Sequence, residues 1–301
     1  MSLQENLQKA LIGTSGTFGV AVKHLETGEQ AQINGHDLFQ TASACKIAIL
    51  AALFNEVEKG HLRLEARLQI KPDDPVPGSG VLQKFDSGLE VSVKDLATMM
   101  IIVSDNLATD KILELVGKDK VNHFTKALNL QNTHLEHSIW ELLSLYAGIS
   151  PKPKNKETYK MLDEAVEAPI KRMNSEIFDM GLPNNVSTPV EMNALLERIA
   201  NKTIISAEAC EQMIDILKSQ QFGHRIPYLL PDEAITATKT GTIGSVVNDA
   251  GIVYMANDKG RFVISIFSRD NSSHIEAEQT IAQLTKVSYD WFTECSQGQT
   301  P

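Results

Sequence analysis

Strand-patterned segments stand at both ends of this 301-residue chain, and the long stretch between them reads as helix. Thr17 to Leu25 alternates in part and is rich in Val and Phe; Thr27-Gly28 turns the chain and Gln30 to Ile33 returns, as in a β-hairpin. Near the other end, Ile235 to Thr240, Val246 to Met255 and Arg261 to Ser268 read as three strands, with Asn257-Asp258-Lys259-Gly260 turning between the last two. A two-stranded hairpin alone is marginal in water, so the two ends predict one antiparallel sheet of about five strands.

The middle carries helix signals. Ser92 and Asp95 stand as N-cap and third residue of a helix running to Val103, Asn106 to Val116 is a helix stopped by Gly117, and Thr188-Pro189 and Ser206 open two more. Ser43 begins a helix whose apolar run, Ile47 to Phe54, marks it as buried. Leu3, Leu7, Ala10 and Leu11 pattern a short N-terminal helix, and Ile281, Leu284, Val287 and Trp291 share one face of a closing helix. The prediction is an α+β fold: a sheet lobe from residues 1–41 and 221–301, flanked by N- and C-terminal helices, with an all-helical lobe at 42–220 inserted between them. A cleft between such lobes is the default place for a site.

Composition narrows the function. The net charge of −10 argues against nucleic acid or an anionic membrane as the main partner. The longest apolar run is far short of the roughly 20 residues that span a bilayer, and Met1-Ser2-Leu3-Gln4-Glu5 has no basic, apolar leader pattern. Cys45, Cys210 and Cys295 lie too far apart for a C-x-x-C pair, and Cys45 sits in apolar surroundings as an inert thiol. His134 and His137 have no third ligand spaced near them, and there is no Walker loop or dinucleotide fingerprint, so no metal or cofactor is expected.

Three short motifs follow one another. In Ser43-Ala44-Cys45-Lys46, Ser43 and Lys46 are at i and i+3 and share a helical face. A desolvated lysine has a lowered pKa and can take the serine proton. Ser104-Asp105-Asn106 falls between two helices, and Lys239-Thr240-Gly241 ends a strand. Each alone has a plain reading: a serine cap with a snorkelling lysine, an interhelical turn, a strand ending in a glycine turn.

Together, in this order, Ser-x-x-Lys, Ser-Asp-Asn and Lys-Thr-Gly make the chain resemble the class A β-lactamases and penicillin-binding proteins. Further likenesses are Phe39 ahead of Ser43, Pro77-Gly78-Ser79-Gly80-Val81-Leu82, Val186-Ser187-Thr188-Pro189, and Asn248-Asp249 after the third motif. The resemblance runs from about Phe18 to Phe292. It implies that Ser43 is the acylated nucleophile, that Lys46 helps deprotonate it, and that Ser104 relays a proton to the leaving nitrogen. It also implies that Asn106 bonds the substrate side-chain amide and that Lys239 and Thr240 bind its carboxylate. The oxyanion would sit on the backbone N–H groups of Ser43 and Thr242, directly after Gly241. Arg225 stands at the offset before Lys239 where some class A enzymes carry an arginine that reaches the carboxylate pocket; an arginine forks onto a carboxylate as lysine cannot. Otherwise it is a surface residue beside Pro227.

The pattern breaks at the carboxylate that activates the deacylating water. The family's Glu-x-x-Leu-Asn motif is missing. Glu141, in Trp140-Glu141-Leu142-Leu143, is the positional candidate, with Glu136 the weaker one; the alternative is a helical surface glutamate. The chain also carries surplus length at about 146–182, with Ser150-Pro151-Lys152-Pro153 as a linker and Asn155 capping a helix that carries Tyr159, Leu162 and Val166. Because it extends the loop that floors the family's cleft, a covering role is favoured.

The resemblance therefore implies a serine β-lactamase working on a β-lactam or a D-alanyl-D-alanine-like peptide. The alternatives are a penicillin-binding, D-alanyl-D-alanine peptidase-like or esterase-like hydrolase with poor deacylation, and a β-lactam sensor acylated once. The family implies an extracytoplasmic location; the residues alone leave a cytoplasmic one open.

Overall fold

The computed structural model of the chain describes residues 1–168 and 174–295, the Cys295 side chain excepted. Part of the surplus segment, 169–173, and the end of the sheet lobe, 296–301, thus lie outside the described residues. In chain order the elements are α1 (Leu3–Ala10), β1 (Thr17–His24), β2 (Gln30–Ile33), β3 (Phe39–Gln40), a 3₁₀ turn (Ala42–Cys45) and α2 (Lys46–Glu58). The helical stretch adds β4 (Arg67–Gln69), β5 (Glu90–Ser92), α3 (Val93–Ile102), α4 (Asn106–Val116), α5 (Lys118–Ala127), α6 (Ile139–Tyr146), α7 (Lys156–Glu167), β6 (Val186–Ser187), α8 (Pro189–Ala200) and α9 (Ala207–Lys218). The chain closes with β7 (Ile235–Ile243), β8 (Val246–Tyr254), β9 (Arg261–Arg269) and α10 (His274–Cys295).

The two ends do meet in one antiparallel sheet, ordered β2-β1-β9-β8-β7. Alternation assigns its faces. Phe262, Ile264 and Ile266 of β9, with Phe18, Val20 and Val22 of β1, pack against α1 and α10. Val263 and Phe267 turn the other way, into a core shared with α2, α8 and α9. Both faces being covered, β9 is buried from Phe262 to Ser268. The division into 42–220 and the rest follows the chain but not the packing, because α8 lies directly on the sheet: Ser265 donates to Asn193 Oδ1 and Asn193 donates to the Val263 carbonyl.

α2 is the axis of the helical side. Ile47, Ile49, Leu50 and Leu53 have no exposed surface, each contributing about 1.5–3 kcal/mol by burial. Gly60, at φ +74°, terminates it. Cys45 and Cys210 are free, buried thiols, and burial pushes the Cys45 thiol up to about 11. No helix among the described residues is long and apolar enough to cross a membrane.

The described residues of the surplus segment pack chiefly against α6. Asn155 caps α7 as expected, its side chain accepting from Glu157 and Thr158 N–H. Leu162, Ile177 and Phe178 then pack with Ile139 and Trp140 of α6 and with Ile243 and Val246 at the β7–β8 turn. The Phe178 ring sits edge-on to Tyr146 and against Gly244, where a Cβ would meet it at 2.8 Å. Apolar residues on α7 and around Ile177 draw the segment onto this third core, and none of its described residues lines the pocket at Ser43.

Candidate active site

Ser43 sits on a backbone bend rather than in a regular helix. Ala42 has φ +46°, and the 3₁₀ turn Ala42–Cys45 carries Ser43 into α2. Among its leading N–H groups, that of Ala42 donates to Gln40 Oε1 and that of Ala44 to the Thr41 carbonyl, which fixes the turn that carries Ser43. Strand β7 comes up against this turn because of Gly241: a Cβ there would meet the Thr41 carbonyl at 2.6 Å and the N–H nitrogens of Ala44 and Ser43 at 2.9 and 3.1 Å. As the edge strand, β7 leaves the backbone groups not bonded to β8 pointing at the cleft. Asn248, beside Gly241 on β8, fastens the two by donating to the Gln40 and Thr41 carbonyls at 2.9 and 3.1 Å.

Lys46 is fully buried. Its ammonium donates to the Ser104 carbonyl (2.8 Å), the Ser104 hydroxyl (3.1 Å) and Asn106 Oδ1 (2.9 Å). Burial pulls its pKa down to about 8, partly opposed by Cys45, Asp105 and Asp110. Lys239 is likewise buried and donates to the Thr240 carbonyl at 2.7 Å; burial, then the charge of Lys46, hold it well below the usual lysine range. The two buried cations thus compete for charge, and a bound anion would relieve both.

Ser104 has φ +55°, a left-handed turn between α3 and α4 that a serine adopts only when its surroundings hold it there. Asp105 is the holder. One oxygen caps α4 at Ala108 N–H, and the other accepts from Val81 and Leu82 N–H at 2.7 and 2.8 Å. Gly80 permits this approach, since a Cβ would lie 2.4 Å from the Asp105 carboxyl carbon. The anchored loop presents Ser79, whose hydroxyl donates to the Ser104 carbonyl and to Asn106 Oδ1. Asn106 in turn donates to the Pro77 carbonyl at 2.9 Å.

Arg225 is buried, not a surface residue. It donates to the Gly241 and Asn248 carbonyls, to Thr242 Oγ1 at 2.6 Å, and to Glu278 of α10 at 3.1 and 3.2 Å. The neighbouring Ile226 N–H donates to Asp249, a fully buried carboxylate that desolvation pushes up to about 6.

These residues share one pocket of about 220 Å³, lined by Ser43, Ser79, Ser104, Thr240, Thr242, Arg225, Glu278, Phe222 and His224. Lys46, Lys239 and Asn106 stand behind its wall, bonded to lining groups or backbone. Glu141 is the expected site residue that the fold does not bring there. It is the third residue of α6, bonded to the Ser138 backbone in a capping box and paired with Lys118 at 2.8 Å. Partial desolvation pushes its pKa up, but hydrogen bonds from Lys118 and Ser138 outweigh this and hold it below the usual range, so the carboxylate is committed to the helix end. Glu136 pairs with His134 at 2.9 Å. Sequence reasoning missed Ser79, Glu278, Phe222 and His224. Ser79 had a signal in the Pro77–Leu82 stretch, whereas Glu278, on α10, and Phe222 and His224, before the edge strand, had none.

A family model described as the beta-lactamase enzyme family matches residues 2–292. The chain is 24% identical to beta-lactamase VEB-1 of Pseudomonas aeruginosa, over 97% of this chain and 90% of that protein. It is similar to a solved beta-lactamase of Sphaerobacter thermophilus, at TM-score 0.77 and 26% identity over 99% of this chain and 98% of that one. It is also similar to PBP-A, at TM-score 0.78 and 26% identity over 97% and 96%; a single-residue mutant of PBP-A is known as its acyl-enzyme complex with penicillin G. With the model spanning nearly the whole sequence and the three motifs gathered around one pocket, the chain belongs to the beta-lactamase enzyme family.

Proposed function

We propose that this protein is a serine β-lactamase in which Ser43 opens the β-lactam ring and carries the acyl group. The observation that carries this reading is the approach of β7 to the nucleophile turn at Gly241, beside a buried Lys46 that is bonded to Ser104 and whose pKa burial lowers to about 8. Neutral Lys46 takes the Ser43 hydroxyl proton as Oγ attacks the lactam carbonyl. The tetrahedral oxyanion is held by the N–H groups of Ser43 and Thr242. The C–N bond breaks, and the proton passes from Lys46 through the Ser104 hydroxyl to the departing nitrogen. Lys239, Thr240 and Arg225 receive the substrate carboxylate, and Asn106 with Ser79 frames the amide side. Water then hydrolyses the ester and frees Ser43. An extracytoplasmic location is the setting that suits such a substrate.

A second reading has its own support. Glu278, the carboxylate that lines the pocket, is held by Arg225, and Glu141 is held by Lys118. Ester hydrolysis without a dedicated carboxylate is slow, which favours a penicillin-binding type or sensor whose adduct persists. One experiment separates them: mix the protein with a chromogenic cephalosporin and follow turnover and intact mass. Steady turnover, absent in Ser43→Ala and with its acylation phase rising as pH passes about 8, supports the lactamase. A lasting adduct without turnover supports the second reading, and no adduct with any β-lactam overturns both.

A further inference from the structure

The surplus segment touches the site from behind. Its first residues are stitched to α6 and α4: the Trp140 indole N–H donates to the Lys152 carbonyl at 2.8 Å, and Lys154 donates to Asp110 at 3.0 Å while lying 5.9 Å over the Trp140 ring. Asp110 is buried, with 3% of its side chain exposed against 21% for Lys154. Its two oxygens also accept the N–H groups of Ile139 and Trp140, joining α4 to the start of α6. On α4 it follows Asn106 by one turn, on the same face, and Asn106 bonds Lys46. Among the described residues, the titratable and charged groups that face Lys46 are Cys45 beside it, Asp105 and Asp110 on the α4 side, and Lys239 from β7.

We propose that Lys154 is a positioning residue for acyl transfer: it offsets part of the Asp110 charge and so weakens that buried carboxylate's hold on the Lys46 ammonium. This gives the surplus segment a part in the chemistry although none of its described residues lines the pocket. Without Lys154, Asp110 keeps its two backbone donors. With the balancing cation gone, its carboxylate favours the Lys46 ammonium more strongly. The proposal rests on Lys46 being the proton acceptor for Ser43.

The test is an NMR titration of the intact protein labelled at lysine ¹³Cε, with the Lys46 resonance assigned through Lys46→Arg. Lys154→Met, with Lys154→Gln as a second and more soluble variant, should raise the Lys46 midpoint by about half a unit to one unit. Lys154→Arg should leave it at the wild-type value, and Asp110→Asn added to Lys154→Met should return it there. An unmoved Lys46 midpoint in Lys154→Met and Lys154→Gln, with or without a lower melting temperature, overturns the proposal and leaves Lys154 a structural tie. The titration needs no β-lactam. Failure of the wild type to form an adduct would overturn the lactamase reading without touching this result.

Discussion

Glu141 shows how a residue's local commitments decide its chemistry. A glutamate at the third position of a helix opened by Ser138 can reach back to the cap, and Lys118 takes the same oxygen. Glu141→Gln is therefore expected to leave acylation and ester hydrolysis at wild-type rates and to cost ~0.5 kcal/mol, because the amide keeps the cap and loses an exposed ion pair. Burst and steady-state rates check this; a trapped adduct in that variant would restore Glu141 to the reaction. Lys46 is the opposite case. Its bonds go to Ser104 and Asn106, and its burial makes it a base near pH 8 rather than a surface cation.

At the scale of elements, the interhelical turn between α3 and α4 and the loop at Pro77–Leu82 form one device, pinned by Asp105. That carboxylate caps α4 and takes two loop N–H groups. Asp105→Ala removes the cap and strands two donors, which should cost about 2–3 kcal/mol. Ser79 and the left-handed Ser104 then lose their register, so the acylation rate should fall with the melting temperature. A variant that melts earlier yet acylates at the wild-type rate would limit Asp105 to stability. The helix boundaries themselves were legible: Ser92 with Asp95, Gly117, Thr188-Pro189 and Ser206 all act where the sequence places them. Capping is a short-range interaction between chain neighbours, so spacing along the chain reveals it.

At the scale of the whole molecule, three cores meet around the cleft: the shared helical and sheet core, the α1–α10 face of the sheet, and the smaller cluster beneath α6. The surplus segment belongs to the third. Ile177, fully buried there, should cost about 2–5 kcal/mol as Ile177→Ala, from lost burial and the cavity left behind. Because it lines no part of the pocket, KM for a cephalosporin should stay unchanged in the variant. A large rise in KM would show that this cluster shapes the cleft after all. The apolar face of its helix, Tyr159, Leu162 and Val166, packs against α6, while the Tyr159 hydroxyl donates to Gln83 just past the Pro77–Leu82 loop.

The sequence alone determined the helix caps, the pairing of both termini in one sheet, and the chemical types at the site, because capping, alternation and the three motifs are local patterns. Only the tertiary structure decided which groups converge. Gly241 reads as a turn residue in sequence, yet its missing Cβ is what lets the edge strand touch the turn that carries Ser43. Arg225 reads equally well as a surface residue, and becomes a buried fork because Glu278, far along the chain on α10, and the β7–β8 carbonyls surround it. Glu141 carries the right charge at a plausible spacing and is taken by Lys118 instead. Spacing predicts what a residue can do, but burial and partners from distant segments set which proton or anion it actually holds.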